Sequence, residues 1–296
     1  MPMPPIEPRF DSIEQVTERL RSAGYLTDRS IATVVYVADH LGKPLLVEGP
    51  AGVGKTELAK TLAAALGFEL IRLQCYEGVD ETKTLYEWNY KKQLLRIQAS
   101  EGRSSWDELS DDIFSEPFLL ERPVLKAIRS VRPTVLLIDE VDKLDLEAEA
   151  LLLEVLSDWQ VTIPEMGTVS AARMPFVVLT SNNSRELSEA LKRRCLYLYL
   201  DYPDAERERA IVLERVPGIE RGLAERIVEI VRSIRGIELK KAPSIAETLD
   251  WARTLVHLQV RDLDPETISA TLSVLVKFQT DLDRAADHLK LSGTRP

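Results

Sequence analysis

The hydrophobic and polar positions up to residue 203 follow two alternating periods. Short apolar runs predict buried strands, and segments with an apolar residue every three or four positions predict helices. The predicted strands are 44–48, 68–75, 134–139, 175–181 and 195–200. Because buried strands that alternate with helices form a parallel sheet covered on both faces, the pattern indicates an α/β fold with a parallel five-stranded sheet.

Two helices are predicted before the first of these strands. Asp11 or Ser12 is expected to cap the first helix and Thr27 the second, since their side-chain oxygens can accept from free backbone N–H groups. A hairpin is predicted at about 160–172, around Met166 and Gly167.

The strand pattern stops after residue 203, and helical spacing takes over. Ser244 and Glu247 form a predicted capping box, and Pro265 follows Asp264 at another predicted helix start. We therefore predict an α/β domain at 1–203 and a smaller all-helical domain at 204–296.

Composition and charge narrow the class of protein. The chain has 296 residues, 45% of them hydrophobic, and a formal net charge of −10, which argues against a non-specific nucleic-acid binder. Cys75 and Cys195 lack zinc or redox spacing, which favours two reduced thiols. No apolar run predicts a membrane span, and the N-terminus lacks the features of a secretory signal. We expect a cytoplasmic protein, with peripheral attachment at the inner membrane face left open.

The segment GPAGVGKT predicts a phosphate-binding loop between a strand and a helix. Its glycines let backbone N–H groups surround a phosphate, and the helix N-terminus adds partial positive charge. Lys55 is expected to bridge the β- and γ-phosphates of ATP, and Thr56 to bind Mg²⁺. The predicted nucleotide contacts are Gly49, Pro50, Ala51, Gly52, Val53, Gly54, Lys55, Thr56 and Glu57.

Two acidic residues end the third predicted strand. Asp139 is expected to hold Mg²⁺ with Thr56, and Glu140 to polarise the water that attacks ATP. The pair favours a hydrolase over a small-molecule kinase, which needs no activated water.

These motifs resemble the AAA+ ATPases. The likeness runs through the phosphate loop, VLLIDE, the polar residues 180–183, ALKRRC and a helical lid. Within AAA+ the chain resembles the MoxR group, whose helix-2 insertion would lie at about 76–133 and whose pre-sensor insertion would be the hairpin. The segments QCYEGVDETKTLYEWNYKKQLLRIQ, LSEALKRRC and APSIAETLDWARTL are similar to CoxD-type proteins. The CoxD-type proteins are linked to maturation of molybdenum-containing carbon monoxide dehydrogenases and their relatives.

The resemblance implies roles for matching positions. Asn182 would be the first sensor, near the γ-phosphate and the attacking water. Arg193 would be the arginine finger, with Arg194 as the adjacent alternative. Ile245 stands where the family has a second-sensor arginine, which leaves open whether Lys240, Lys241 or no lid cation replaces it.

The resemblance also implies partners. We expect a homo-oligomer, most simply a hexameric ring, and an ATP-driven chaperone acting on a client metalloenzyme or a von Willebrand A-domain protein. Trp88 and Tyr90 would contact the client or pack within the insertion. Two alternatives remain: a nucleic-acid-linked motor, for which Lys91-Lys92 and Lys240-Lys241 are the short basic clusters, and a non-catalytic nucleotide switch.

Overall fold

The computed structural model describes residues 6–100 and 106–291. Residues 1–5 and 292–296, at the ends of the predicted domains, and 101–105, in the predicted insertion, lie outside the described residues. The chain divides into two compact units. The first contains Met1–Glu48 and Thr56–Tyr199, and the second contains Gly49–Lys55 and Leu200–Pro296.

Strands and helices alternate along most of the first unit, and helices follow one another in the second. The strands are β1 (Leu45–Glu48), β2 (Glu69–Gln74), β3 (Tyr86–Trp88), β4 (Leu119–Glu121), β5 (Thr134–Asp139), β6 (Gln160–Ile163), β7 (Gly167–Ser170), β8 (Phe176–Ser181) and β9 (Leu196–Tyr199). The helices are α1 (Ile13–Ser22), α2 (Arg29–Leu41), α3 (Lys55–Leu66), α4 (Glu81–Thr84), α5 (Tyr90–Ser100), α6 (Trp106–Ile113), α7 (Pro123–Arg129), α8 (Leu146–Asp158), α9 (Glu189–Arg194), α10 (Ala205–Arg215), α11 (Arg221–Arg235), α12 (Ile245–His257), α13 (Pro265–Leu275) and α14 (Gln279–His288), with 3-10 helices at Glu116–Phe118 and Val141–Lys143.

Five strands of the first unit form one sheet, in the order β2-β5-β8-β1-β9. Every neighbouring pair in it is parallel, so the predicted parallel five-stranded sheet is confirmed. β1, β5 and β8 are buried along their whole length, as expected for interior strands of a covered sheet. Because the strands run in the same direction, the last residues of β1, β5 and β8 lie at the same edge of the sheet. These residues are Glu48, Asp139 and Ser181.

The two helices before the sheet begin at different kinds of cap. Ser12 caps α1 by accepting from the backbone N–H of Gln15, as one of the two predicted options. The prediction of Thr27 for α2 was wrong by one residue, because Asp28 accepts from the N–H of Ile31. A carboxylate there also interacts favourably with the positive end of the helix.

Two small antiparallel ribbons accompany the sheet. β3 pairs with β4 between β2 and β5 in sequence, in the stretch that also holds α4, α5 and α6. β6 pairs with β7, and Met166 lies in their connection. Trp88 of β3, Leu125 of α7 and Leu152 of α8 belong to the same buried cluster as the sheet strands.

The described part of the second unit after Leu200 is helical and has its own core, in which Trp251 is fully buried. The predicted capping box is present, since the Ser244 hydroxyl caps α12 and Glu247 accepts from the Ser244 N–H. Arg235 of α11 contacts α10 and the residues that precede α12. Its guanidinium forms a two-pronged ion pair with Glu208 at 2.7 and 2.8 Å, and its Nε donates to the Pro243 carbonyl at 2.7 Å.

Candidate nucleotide-binding site

The loop between β1 and α3 carries the phosphate-binding motif. Lys55 is buried at the start of α3, and its Nζ donates to the carbonyl oxygens of Gly49 and Pro50, both at 2.7 Å. The loop therefore holds its own lysine in a folded-back position. Glu57 follows in the first turn of α3, where an acidic side chain favours the helix start.

Two loop glycines are required by close approaches within the second unit. Gly52 has a φ of 74°, and a Cβ there would overlap Ser244 Oγ and lie 2.5 Å from Ser244 Cβ. A Cβ at Gly49 would overlap the carbonyl oxygen of Leu200. Gly52 thus allows the start of α12 to pack against the loop. Sequence reasoning missed this requirement for glycine at position 52.

The Asp139 carboxylate is hydrogen-bonded to Thr56, the other predicted magnesium ligand. It is buried at the end of β5, and its Oδ1 accepts from the hydroxyls of Thr56 at 2.8 Å and Thr180 at 2.5 Å. Both predicted magnesium ligands, Thr56 and Asp139, are therefore in direct contact.

This donor set fits Mg²⁺. Magnesium prefers oxygen ligands and is commonly held by one or two protein groups together with substrate phosphates and water. In the part of the chain that the structure describes, no cluster of three or more His, Cys, Asp or Glu could form a separate all-protein metal site. Thr56 and Asp139 would supply the protein oxygens.

Arg72 is a residue of this site that sequence reasoning missed. Its Nε donates to Asp139 Oδ2 at 3.1 Å, and its Nη2 donates to the same oxygen and to Gln74 Oε1. Arg72 lies on β2, where Gln74 is the register partner of Asp139. The signal that could have found it is a cation two residues before the end of the strand that neighbours β5.

Glu140 and Asn182 meet beyond the ends of β5 and β8. Glu140 has a φ of 59°, a left-handed conformation that costs a non-glycine residue about 1–3 kcal/mol and is typical of functional sites. Its backbone N–H donates to Thr180 Oγ1 at 2.9 Å, which holds this turn. Asn182 Nδ2 lies 3.5 Å from Glu140 Oε1, so the predicted base and the predicted sensor are adjacent.

Asp142 fixes the segment that carries Asn182. It accepts from the backbone N–H groups of Asn182 at 3.2 Å and Ser184 at 3.0 Å, and from the Ser184 hydroxyl. Burial alone would raise the pKa of Asp142, but these hydrogen bonds outweigh it and hold the pKa below its ordinary value. Asp142 also escaped the sequence analysis, because only the tertiary contacts give it a role.

The two adjacent arginines differ in their surroundings. Both lie in the last turn of α9. The Arg193 side chain is 81% exposed and pairs only with Glu189 on the same helix, at 2.8 Å, among the contacts of the described residues. Arg194 donates to Ser157 Oγ of α8 and to the Ala190 carbonyl, so it anchors α9.

Ile245, not an arginine, stands at the position that the resemblance assigns to the second sensor. Ile245 is the first residue of α12 and is buried. Lys241 Nζ lies 3.5 Å from Glu247, and Lys240 Nζ lies 5.8 Å from the centre of the Phe278 ring. Both lysines have partners within their own unit.

Of the remaining predicted residues, Trp88 and Tyr90 lie in the predicted insertion. The backbone N–H of Cys75 donates to the Asp139 carbonyl oxygen at 2.8 Å, and Cys195 directly follows Arg194 at the end of α9. Trp88 is buried and its ring packs edge-on against Phe114 at 5.3 Å, whereas Tyr90 is exposed on α5. Burial raises the pKa of the Cys75 and Cys195 thiols to about 12, which makes them poor nucleophiles. No helix among residues 6–100 and 106–291 is long and apolar enough to cross a membrane.

Comparison with known families decides the class. The model of the AAA domain (dynein-related subfamily) matches residues 44–195, a segment from the start of β1 to the end of α9. The chain belongs to this AAA domain family. AAA+ domains bind nucleotide, usually with Mg²⁺, are typically ATPases and commonly form oligomeric rings.

Individual relatives of this AAA domain protein have low sequence identity to it. An uncharacterized protein of Staphylococcus haemolyticus is 26% identical over 239 residues, which cover 78% of this chain and 82% of that protein. A protein of Staphylococcus epidermidis is 27% identical over 225 residues, 74% of this chain and 77% of that protein. Among solved structures, a RuvB mutant from Thermotoga maritima covers 90% of this chain and 71% of its own, with 20% identity and a TM-score of 0.48.

Proposed function

We propose that this AAA domain protein is a magnesium-dependent ATPase that couples hydrolysis to the remodelling of a client protein. The observation that carries the proposal is the pairing of Glu140 with Asn182 next to the contact of Thr56 with Asp139. Hydrolysis needs a carboxylate that orients water and a polar side chain that senses the γ-phosphate. A non-catalytic switch would need neither.

The proposed roles divide among the chain's own groups. The backbone N–H groups of the loop and the Lys55 ammonium bind phosphate oxygens, which replace the Gly49 and Pro50 carbonyls as acceptors. Glu140 accepts a proton from the attacking water, and Asn182 helps to position that water. Thr56 and Asp139 would hold magnesium, which would supply positive charge for the phosphate groups of the nucleotide.

The test of hydrolysis is a charge-neutral substitution. Glu140→Gln should bind a fluorescent ATP analogue as wild type does and should lower phosphate release at least about 100-fold, the usual contribution of a general base. The matched control is Glu147→Gln, an exposed acid in the first turn of α8, which should leave the rate unchanged. Unchanged phosphate release by Glu140→Gln would exclude the proposed mechanism.

We further propose that the protein acts as a ring, most simply a hexamer, with Arg193 completing the site of a neighbouring subunit. Its exposure supports this role, since the exposed pair with Glu189 is worth only about 0–1 kcal/mol and is easily given up. Arg194, bonded to Ser157, would instead hold α9 in place.

A mixing experiment tests the shared site. Arg193→Ala should bind nucleotide but lose about 10³-fold or more in hydrolysis, the usual contribution of such a finger. Arg194→Ala should lose less. Equal mixtures of Glu140→Gln and Arg193→Ala subunits should regain activity, because some interfaces then combine an intact Glu140 with an intact Arg193. No gain on mixing would contradict a shared site.

The client proposal rests on the likeness to MoxR-group and CoxD-type proteins. We propose a cytoplasmic chaperone in the maturation of a molybdenum-containing dehydrogenase, with a von Willebrand A-domain protein as a further partner. Tyr90, Leu94 and Leu95 are exposed apolar residues on α5 and support client contact there, whereas the burial of Trp88 favours its packing role. Glu140→Gln loaded with ATP should retain the apo-dehydrogenase, and adding Tyr90→Ala should weaken that complex.

A further inference from the structure

The Arg72 guanidinium forms an ion pair with one oxygen of Asp139, the carboxylate that is proposed to hold magnesium. The Asp139 side chain is 3% exposed, whereas that of Arg72 is 44% exposed. Arg72 donates through Nε and Nη2 to Oδ2, while the hydroxyls of Thr56 and Thr180 use Oδ1. The two oxygens of Asp139 therefore have separate partners.

A buried carboxylate needs an opposite charge or strong hydrogen bonds, and losing its partner is costly. Without a metal, the Arg72 guanidinium meets this need together with the two hydroxyls. A divalent cation near Oδ1 would meet the same need on its own, and it would be repelled by the guanidinium at Oδ2.

We propose that Arg72 is a positioning residue that acts as the counter-ion of Asp139 in the metal-free protein and weakens the binding of the divalent cation. This inference rests on the proposed magnesium site. Gln74 supports this proposal, because its Oε1 accepts from Arg72 Nη2. It gives the guanidinium a second acceptor when Asp139 binds the metal. Metal loading would then be reversible and coupled to the nucleotide, rather than permanent.

The test measures metal binding directly. Binding of Mn²⁺ in the presence of ADP is followed by electron paramagnetic resonance for wild type and Arg72→Gln. The variant should bind Mn²⁺ about tenfold more tightly, a factor that corresponds to repulsion screened nearly as in water, since Arg72 is partly exposed. In EDTA the same variant should melt at a lower temperature than wild type, because Asp139 has then lost its counter-ion.

Two further variants separate charge from general damage to β2. Lys126→Gln removes a cation paired with Glu69, at the start of β2, at 2.7 Å and should leave Mn²⁺ affinity unchanged. Arg72→Lys keeps the positive charge but loses the paired Nε and Nη2 donors, and it should bind Mn²⁺ as wild type does. If Arg72→Gln does not fold, Gln74→Ala is measured instead. It removes the hydrogen bond between Gln74 and the Arg72 guanidinium, so that the guanidinium interacts more strongly with Asp139 and should weaken Mn²⁺ binding about threefold.

The outcomes distinguish this inference from the proposed function. If wild type with ADP binds no Mn²⁺, the magnesium site itself is overturned, and this inference falls with it. If wild type binds Mn²⁺ and Arg72→Gln binds it equally or more weakly, only the counter-ion role is overturned. The same holds for a Gln74→Ala affinity that is unchanged or tighter, should that variant be needed.

Discussion

Gly52→Ala tests the packing of the phosphate loop against the start of α12. Two penalties follow from the geometry. The φ of 74° is left-handed, which costs an alanine about 1–2 kcal/mol. The added Cβ would also overlap Ser244 Oγ, and rotating that hydroxyl gives no relief because Ser244 Cβ lies 2.5 Å away. Overpacking of this kind costs about 1–3 kcal/mol, so the expected loss is about 2–5 kcal/mol.

The two penalties can be measured separately. Gly218 has a φ of 85° with nothing within 4 Å of its added Cβ, so Gly218→Ala should cost only the backbone part, about 1–2 kcal/mol. Ser244→Gly removes the clashing atoms, and replacing a helix cap by glycine costs only a few tenths of a kcal/mol. Adding Ser244→Gly to Gly52→Ala should therefore recover about 1–3 kcal/mol.

The assay is urea unfolding followed by circular dichroism, with the free energy of unfolding compared across the four variants and wild type. The coupling between positions 52 and 244 is read from the double-mutant cycle. If Gly52→Ala costs no more than Gly218→Ala, and Ser244→Gly brings no recovery, the close approach of α12 to the loop is not a feature of the folded protein.

Two more predictions concern buried charges. Arg235→Ala should lower the free energy of unfolding by about 3–5 kcal/mol, because Glu208 stays buried without its cation, whereas Arg226→Ala at an exposed ion pair should cost about 1 kcal/mol or less in the same urea assay. Asp142→Asn should destabilise at pH 7, and its deficit should shrink as the pH falls below about 4. The stabilisation from a carboxyl with a lowered pKa exists above its unfolded-state pKa and vanishes as the pH falls through the folded-state pKa. A deficit that stays constant from pH 7 to pH 3 would contradict this expectation.

Local patterns in the sequence determined the sheet and the motifs. A strand, a glycine-rich loop and a helix follow one another within 45–66, and the acidic pair 139–140 directly ends a buried strand, so neither needs distant information. Capping residues such as Ser12 and Ser244 are equally local, because a cap accepts from an N–H two or three residues away. The one-residue error at Thr27 shows the limit of such local patterns, since two neighbouring polar residues can both serve.

Only the tertiary structure decided which distant side chains meet. Arg72 reaches Asp139 because β2 and β5 are paired in a register that no local pattern encodes. Ser244 reaches Gly52 because the start of α12 lies against the loop within the second unit, although the two residues are far apart in sequence. The chemistry of each group is written in its residue type, but burial, charge compensation and close approach depend on neighbours far away in sequence.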